Sequence, residues 1–262
     1  MQIYTNFAPV KSINQIISPI AAELQQFEAF FGQTMCAETE PMDSIMRYVW
    51  DSRGKRLRPI LVLLSAKLFG VINEQTLRAA TFVEMIHSAT LIHDDVVDDD
   101  DQRRGHASVK AQFGNLSAVL AGDYLLAKAM LLIANDTDIL NEMLRTTVAM
   151  SEGELMQLSE SNDYLEIITR KTALLMRSCC AIGAMSVGAA EEQIQRIADF
   201  GLHFGILFQL RDDILDTENV DKANDLITNC LERTINRIQN FPPSTIRDAL
   251  TDLTYFCANR EQ

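Results

Sequence analysis

Proline is missing from the whole stretch between Pro59 and Pro242, and glycine supplies only 11 of the 262 residues. The two residues that most often break helices are therefore scarce, and so are the dipeptides that turn β-hairpins. No segment alternates polar and apolar residues for long, which excludes a core built of half-buried strands. The five cysteines (Cys36, Cys179, Cys180, Cys230 and Cys257) form no CxxC pair and no zinc spacing. An odd count of this kind excludes a disulfide framework and points to reduced thiols in the cytoplasm. The first residues, MQIYTNFAPVKSINQ, lack a basic segment followed by an apolar core, so no export signal is expected. The longest apolar run, Pro59 to Ile72, is broken by Ser65 and Lys67. It is too short to span a bilayer, so no membrane span is expected. A net charge of −13 argues against nucleic acid as a partner, since a phosphate backbone calls for an excess of clustered Lys and Arg.

What is present is a helix-forming composition rich in Ala, Leu, Ile and Met. A chain of this length buries roughly three quarters of its unfolded surface in a single core. The pattern predicts an all-α protein, one domain over residues 1–262 forming a large bundle of roughly ten helices around an apolar interior. Helices are expected near 12–34, 42–53, 57–69, 74–100, 115–134, 137–159, 163–188, 191–217, 222–240 and 243–259, with Pro242-Pro243-Ser244 as a break and restart.

Two segments carry chemistry: Asp94-Asp95-Val96-Val97-Asp98 and Asp212-Asp213-Ile214-Leu215-Asp216. Each has the form DDxxD and closes an apolar stretch with helical spacing. At i, i+1 and i+4 the three carboxylates of each motif are expected to crowd one side of about one turn. Two unit charges ~4 Å apart repel by roughly 4 kcal/mol at a protein-like dielectric of ~20. Such triplets call for cations, and hard oxygen ligands at this density suit Mg²⁺, which takes carboxylates together with substrate phosphates. A single motif could equally be a solvated helix end. Two, each ending a helix of buried type, point to a polyphosphate held between facing helices. Glu84, His87, Leu91, Asp94 and Asp98 form a stripe on the first helix, and Gly201, Gly205, Gln209, Asp212 and Asp216 on the second. The glycines are expected to leave open space beside the acids.

Four ordered segments, GKRLRP (54–59), HSATLIHDDVVDDDDQRRG (87–105), KTALL (171–175) and GILFQLRDDILD (205–216), resemble the trans-isoprenyl diphosphate synthases, most of all the bacterial long-chain polyprenyl synthases. The resemblance implies head-to-tail condensation of an allylic diphosphate, such as farnesyl diphosphate, with isopentenyl diphosphate. It implies three Mg²⁺ ions, with Asp94 and Asp98 holding two, Asp212 the third, and Asp95, Asp213 and Asp216 in support. Arg103 and Lys171 would contact the allylic diphosphate. Lys55, Arg58, His87 and Arg104 would form the pocket for isopentenyl diphosphate, and Thr172 and Gln209 would flank the reacting carbons. A homodimer built through helices near 115–134 and 137–159 is implied as well.

One helical turn rises ~5.4 Å, roughly one isoprene unit, so side chains along the first motif's helix set product length turn by turn. Ala89 and Thr90, one turn before Asp94, are small where short-chain members carry aromatic residues. The tail is expected to pass them and run by Ile86 and Met85 to a floor at Phe82, aided by Met130, giving a product longer than twenty carbons and near forty. The chain departs from the family at two loops, near 162–163 and 219–222, where residues are either deleted or left out of the sequence. Here DTENVDKANDLITNC replaces a lysine- and glycine-containing loop. An intact mass near 29.4 kDa would show true deletion. That departure keeps a non-catalytic subunit of a heteromeric synthase as the alternative. A terpene cyclase is the remaining one, opposed by the all-aspartate second motif.

Overall fold

The computed structural model describes residues 11–52, 54–159, 163–215 and 220–259, and of 214, 215 and 220–225 the backbone only. The helices in chain order are α1 (Ile13–Ile16), α2 (Ala21–Met35), α3 (Glu40–Asp51), α4 (Leu57–Phe69), α5 (Glu74–Val97), α6 (Val109–Phe113), α7 (Asn115–Ile133), α8 (Thr137–Leu158), α9 (Tyr164–Ile168), α10 (Leu174–Met185), α11 (Glu191–Leu215), α12 (Val220–Gln239) and α13 (Thr245–Asn259). The fold is all-α, as its composition requires.

Three local features depart from the sequence expectation. The helix expected over 12–34 is divided, because Pro19 opens a separate 3-10 turn, Ser18–Ile20, between α1 and α2. A two-residue hairpin follows the first aspartate motif, strands β1 (Gln102–Arg103) and β2 (His106–Ala107) pairing antiparallel. Its central residues, Arg104 and Gly105, both have positive φ, 54° and 79°. That is the mirror-image turn whose twist suits a tight hairpin. Finally, the helix expected over 163–188 is interrupted by a π-helical turn, Thr169–Ala173.

Helix α5 runs through the middle of the main apolar core. Asn73 starts it: its side chain accepts from the Thr76 amide at 3.0 Å, and Thr76 Oγ1 accepts from the Asn73 amide. Every residue from Thr81 to His87 is buried, with α2, α4, α7 and α10 packed around it. Burying a side chain such as Phe82 is worth roughly 1.5–3 kcal/mol, so this stretch is rigid scaffold for the acids at its C-terminal end.

Helix α7 lies along α5 through Ala118, Ala121, Gly122, Leu125, Ala129 and Ile133. Gly122 makes room there for a side chain of α5. A Cβ would fall 2.1 Å from His93 Nε2, and the His93 ring fills that place beside the Val119 carbonyl. The other face of α7 leaves Leu116, Leu120 and Leu131 exposed. At 19 residues, with a mean hydropathy of 1.7 over an 18-residue window, α7 is long and apolar enough to cross a membrane by length and composition. The expectation drawn from Pro59–Ile72 passed over it. Its packing along α5 makes it a helix of the bundle with one apolar side uncovered.

Candidate active site

Gly201 and Gly205 on α11 do not leave open space beside the acids, contrary to expectation. A Cβ on Gly205 would stand 2.5 Å from Ala173 Cα, and one on Gly201 2.7 Å from the Met176 carbonyl oxygen. Their function is to let α11 close on α10 and the π turn. From the other side Gly153 lets α8 do the same, since a Cβ there would lie 2.6 Å from Arg170 Cβ. The wide turn carrying Lys171 and Thr172 is thus clamped between two backbones. π turns of this kind concentrate at functional sites because they re-aim side chains that a regular helix would hide.

From that turn the site can be followed bond by bond. Thr172 donates to Gln209 Oε1 at 2.7 Å, and Gln209 Nε2 donates to Asp213 Oδ1 at 2.8 Å. The Tyr164 hydroxyl, at the head of α9, donates to the other Asp213 oxygen. Lys171 bridges Gln157 at 2.8 Å and Glu154 at 2.6 Å on α8. Glu154 in turn acts on Asp94 of α5. Burial first, then the Glu154 and Asp98 charges, lift the Asp94 carboxyl to about 6, with Lys171 and Arg103 opposing. Glu154, Gln157 and Tyr164 were not anticipated from the sequence. The spacing of Glu154 and Gln157, i and i+3 just after a helix glycine, is the one signal that could have found the first two.

The first motif does not gather its three carboxylates on one side. Asp94 faces the Glu154 and Lys171 charges, whereas Asp95 is buried and receives Arg103 Nε at 2.7 Å and its Nη2. Adjacent residues lie about 100° apart around a helix, and the hairpin brings Arg103 back under Asp95. Asp98 caps α5 in the open, its amide bonded to the Asp94 carbonyl at 2.8 Å. The remaining acids of the run are absorbed locally: Lys110 pairs with Asp99 and, at 3.4 Å, with Asp101.

A cationic cluster lies beside these acids. Arg56 is buried, pairs with Glu84 at 2.7 Å and Glu28 at 3.1 Å, and stacks on Phe31 and Trp50. It is a structural hub. Arg58 is half-buried, its Nε sealed off without a hydrogen-bond partner. Burial pulls its pKa down, opposed by the Glu84 and Asp212 charges. Arg104 lies against Gly54, where a Cβ would stand 2.6 Å from the guanidinium carbon. His87 is buried among them, its pKa held well below the ordinary value by burial and then by Arg58, Arg104, Arg103 and Arg56. Lys55 is exposed at the head of α4. A neutral His87 follows for the resting protein. Its ring ¹⁵N shifts are expected to stay unchanged through pH 6.5, where free histidine titrates, and a midpoint there would refute this placement. Because unfolding frees this histidine to bind a proton, its contribution to stability is full above that pH and declines as pH falls below it.

Among the described residues no group of three His, Cys, Asp or Glu side chains is gathered closely enough to hold a metal ion. Asp94, Asp98 and Asp212 are therefore not a preformed cage. Their chemistry still fits Mg²⁺: they are hard oxygen donors, and the Asp94 carboxyl, lifted to about 6 by burial and then by neighbouring acids, is relieved by a cation. Asp216 lies outside the described residues, as do residues 160–162 and 216–219, next to or within both short loops. Of the chain-length candidates, Ala89, Met85, Ile86 and Phe82 are buried, and Thr90 donates to the His87 carbonyl at 2.9 Å.

Residues 39–228 match the family model described as polyprenyl synthetase. The chain belongs to the polyprenyl synthetase family. It is similar to an octaprenyl diphosphate synthase of Haemophilus influenzae, 40% identical over 64% of this chain and 54% of that protein. It is also similar to a heptaprenyl diphosphate synthase component 2 of Geobacillus stearothermophilus, 34% identical over 78% of this chain and 67% of that one. The chain thus spans little more than half of the first relative and about two thirds of the second. A crystal structure of a polyprenyl synthase from Caulobacter crescentus, complexed with calcium and isoprenyl diphosphate, superposes with a TM-score of 0.89 at 26% identity, covering 98% of this chain and all of that one.

Proposed function

We propose that this protein is a Mg²⁺-dependent prenyltransferase that condenses an allylic diphosphate with isopentenyl diphosphate, repeatedly, to a long-chain polyprenyl diphosphate. The observation that carries this reading is the meeting of two groups of charge at one cleft. Asp94 lies within reach of the Lys171 and Arg103 charges, Glu154 pairs with Lys171 at 2.6 Å, and Arg58 feels Arg104 and the opposing charge of Asp212. Metal would enter at Asp94, Asp98 and Asp212 with the substrate phosphates completing the ligand set. When bound, Mg²⁺ supplies charge neutralisation at the diphosphate leaving group.

The chain's own groups do the rest. Lys171 and Arg103 hold the allylic diphosphate and stabilise the negative charge it gains as the carbon–oxygen bond breaks. Arg58, Arg104 and the neutral His87 hold isopentenyl diphosphate, the unpartnered Arg58 Nε being a donor that an anion would satisfy. Thr172, its hydroxyl donating a hydrogen bond to Gln209 Oε1, keeps its oxygen lone pairs for the developing allylic cation. The double bond of isopentenyl diphosphate forms the new carbon–carbon bond, and the proton then lost passes to the released diphosphate. Small side chains at Ala89 and Thr90 leave α5 without a bulky stop one turn below Asp94, which supports a product near forty carbons.

Incubation with Mg²⁺, farnesyl diphosphate and radiolabelled isopentenyl diphosphate, with the dephosphorylated products separated by length, tests this. Products near forty carbons are expected. A limit at fifteen or twenty carbons would keep the activity and refute the floor at Phe82. No incorporation would favour the alternative raised by likeness to a protein named component 2, a chain that needs a partner subunit. The same reading takes two copies to pair through α7 and α8, whose Leu116, Leu120, Leu131, Val148, Leu155 and Leu158 are exposed. Sedimentation velocity should show a dimer that Leu120→Lys weakens. A monomeric parent protein would refute it.

A further inference from the structure

We propose that Tyr164 is a positioning residue of the second aspartate motif, acting through Asp213 to fix which way round the Gln209 amide faces the reacting carbons. This rests on the prenyltransferase reading above. Both Asp213 oxygens receive donors from the protein, Tyr164 on one and Gln209 Nε2 on the other, at 2.8 Å for the second. A carboxylate accepts only, so the Gln209 group facing it is the NH₂. The carbonyl is thereby turned to Thr172, which must donate to it, at 2.7 Å. Four side chains from α9, α11 and the π turn thus share one consistent set of donor directions, which Tyr164 joins from α9.

Packing does not explain a tyrosine here. Its side chain is 47% exposed, at the first position of a five-residue helix. The helix start itself is secured by Asp163, which accepts from the Glu166 amide at 3.1 Å. What the Tyr164 hydroxyl adds is the hold on Asp213. Losing that bond loosens Asp213 and makes it easier for the Gln209 amide to invert, presenting NH₂ instead of a carbonyl and freeing Thr172 to turn its proton toward the cation. A donor dipole there opposes the charge the site must tolerate, so chemistry suffers while substrate binding does not.

The test is Tyr164→Phe in the full chain. We expect kcat to fall roughly 10–100-fold, as removal of a supporting partner commonly does, with KM for both diphosphates within about twofold. Melting should stay within about 4 °C, the range of one lost hydrogen bond. In a Gln209→Ala background the same substitution should have no further effect on kcat. In the substrate-free protein, the Gln209 side-chain amide resonances, assigned with Gln209→Glu, should shift on Tyr164→Phe. Unchanged kcat, additive losses with Gln209→Ala, a rise in KM alone, or unmoved amide resonances would each overturn the proposal. A wild-type protein that makes no product would instead refute the prenyltransferase reading, and the amide resonances would still decide the position of Gln209.

Discussion

Asp94→Asn is expected to lower kcat by on the order of 10²–10³ and at the same time to make the substrate-free protein more stable at neutral pH. The first effect follows, on the proposed function, from removing a carboxylate that would bind metal and whose charge would be needed only when cation and diphosphate are present. The second follows from what that charge does when they are absent. The Asp94 carboxyl, ordinarily at 3.8, is lifted to about 6, chiefly by burial and by Glu154. A lift of that size corresponds to at most about 3 kcal/mol against the ionised folded state at pH 7, less what solvent screening removes. Between pH 3.8 and about 6 the folded protein binds more protons at this site than the unfolded chain, so stability falls as pH rises through that window. Asparagine carries no charge to penalise. Thermal melts at pH 7.5 should therefore show the variant several degrees above the parent protein, with the gain vanishing near pH 4. Mg²⁺ with inorganic diphosphate should raise the parent's melting temperature more than the variant's. A variant that melts lower at pH 7.5, or keeps parental turnover, would refute this account of Asp94.

Gly205→Ala is expected to cost both stability and turnover, and Gly201→Ala mainly stability. At Gly205 the added methyl meets Ala173 Cα at 2.5 Å and its carbonyl oxygen at 3.1 Å, backbone atoms that cannot swing aside. Overpacking of this kind costs about 1–3 kcal/mol, partly offset by the gain of about 1 kcal/mol that alanine brings inside a helix. The displaced element is the π turn itself, which carries Lys171 and Thr172, so a fall in kcat of at least tenfold is expected by analogy with other losses of orientation. At Gly201 the methyl meets the Met176 carbonyl oxygen at 2.7 Å and Cys180 Sγ at 2.8 Å, within α10 and one to two turns away from Thr172. Denaturant titration and steady-state kinetics of the two variants, side by side, separate packing from positioning. Equal kcat in both would show that the π turn does not need α11 pressed against it.

The pairing of Thr172 with Gln209 shows how far motif reasoning reaches. Both residues were expected beside the reacting carbons, and both meet in one hydrogen bond because their helices close through Gly205. The misreading of that glycine is equally instructive. A missing side chain leaves either a void or a close approach, and sequence spacing is the same for both. Glu154 and Tyr164 escaped notice for a related reason. Each is an ordinary polar residue on its own element, and its part in the site arises only where α8 and α9 come up against Asp94 and Asp213. Arg56 was hidden differently: it stands between two basic residues expected to bind anion, yet a left-handed backbone, φ 55°, turns it into the core against Glu84 and Glu28.

Helix content and the siting of two acid motifs at helix ends came from the sequence alone, because periodicity and charge density are local properties that each segment carries with it. Which carboxylate faces which was decided by tertiary structure. Asp94 and Asp95 are neighbours in the chain, yet a 100° step around α5 sends one toward Glu154 and Lys171 and the other onto Arg103. The packing of α8, the π turn and the hairpin around that step gives the two acids different partners.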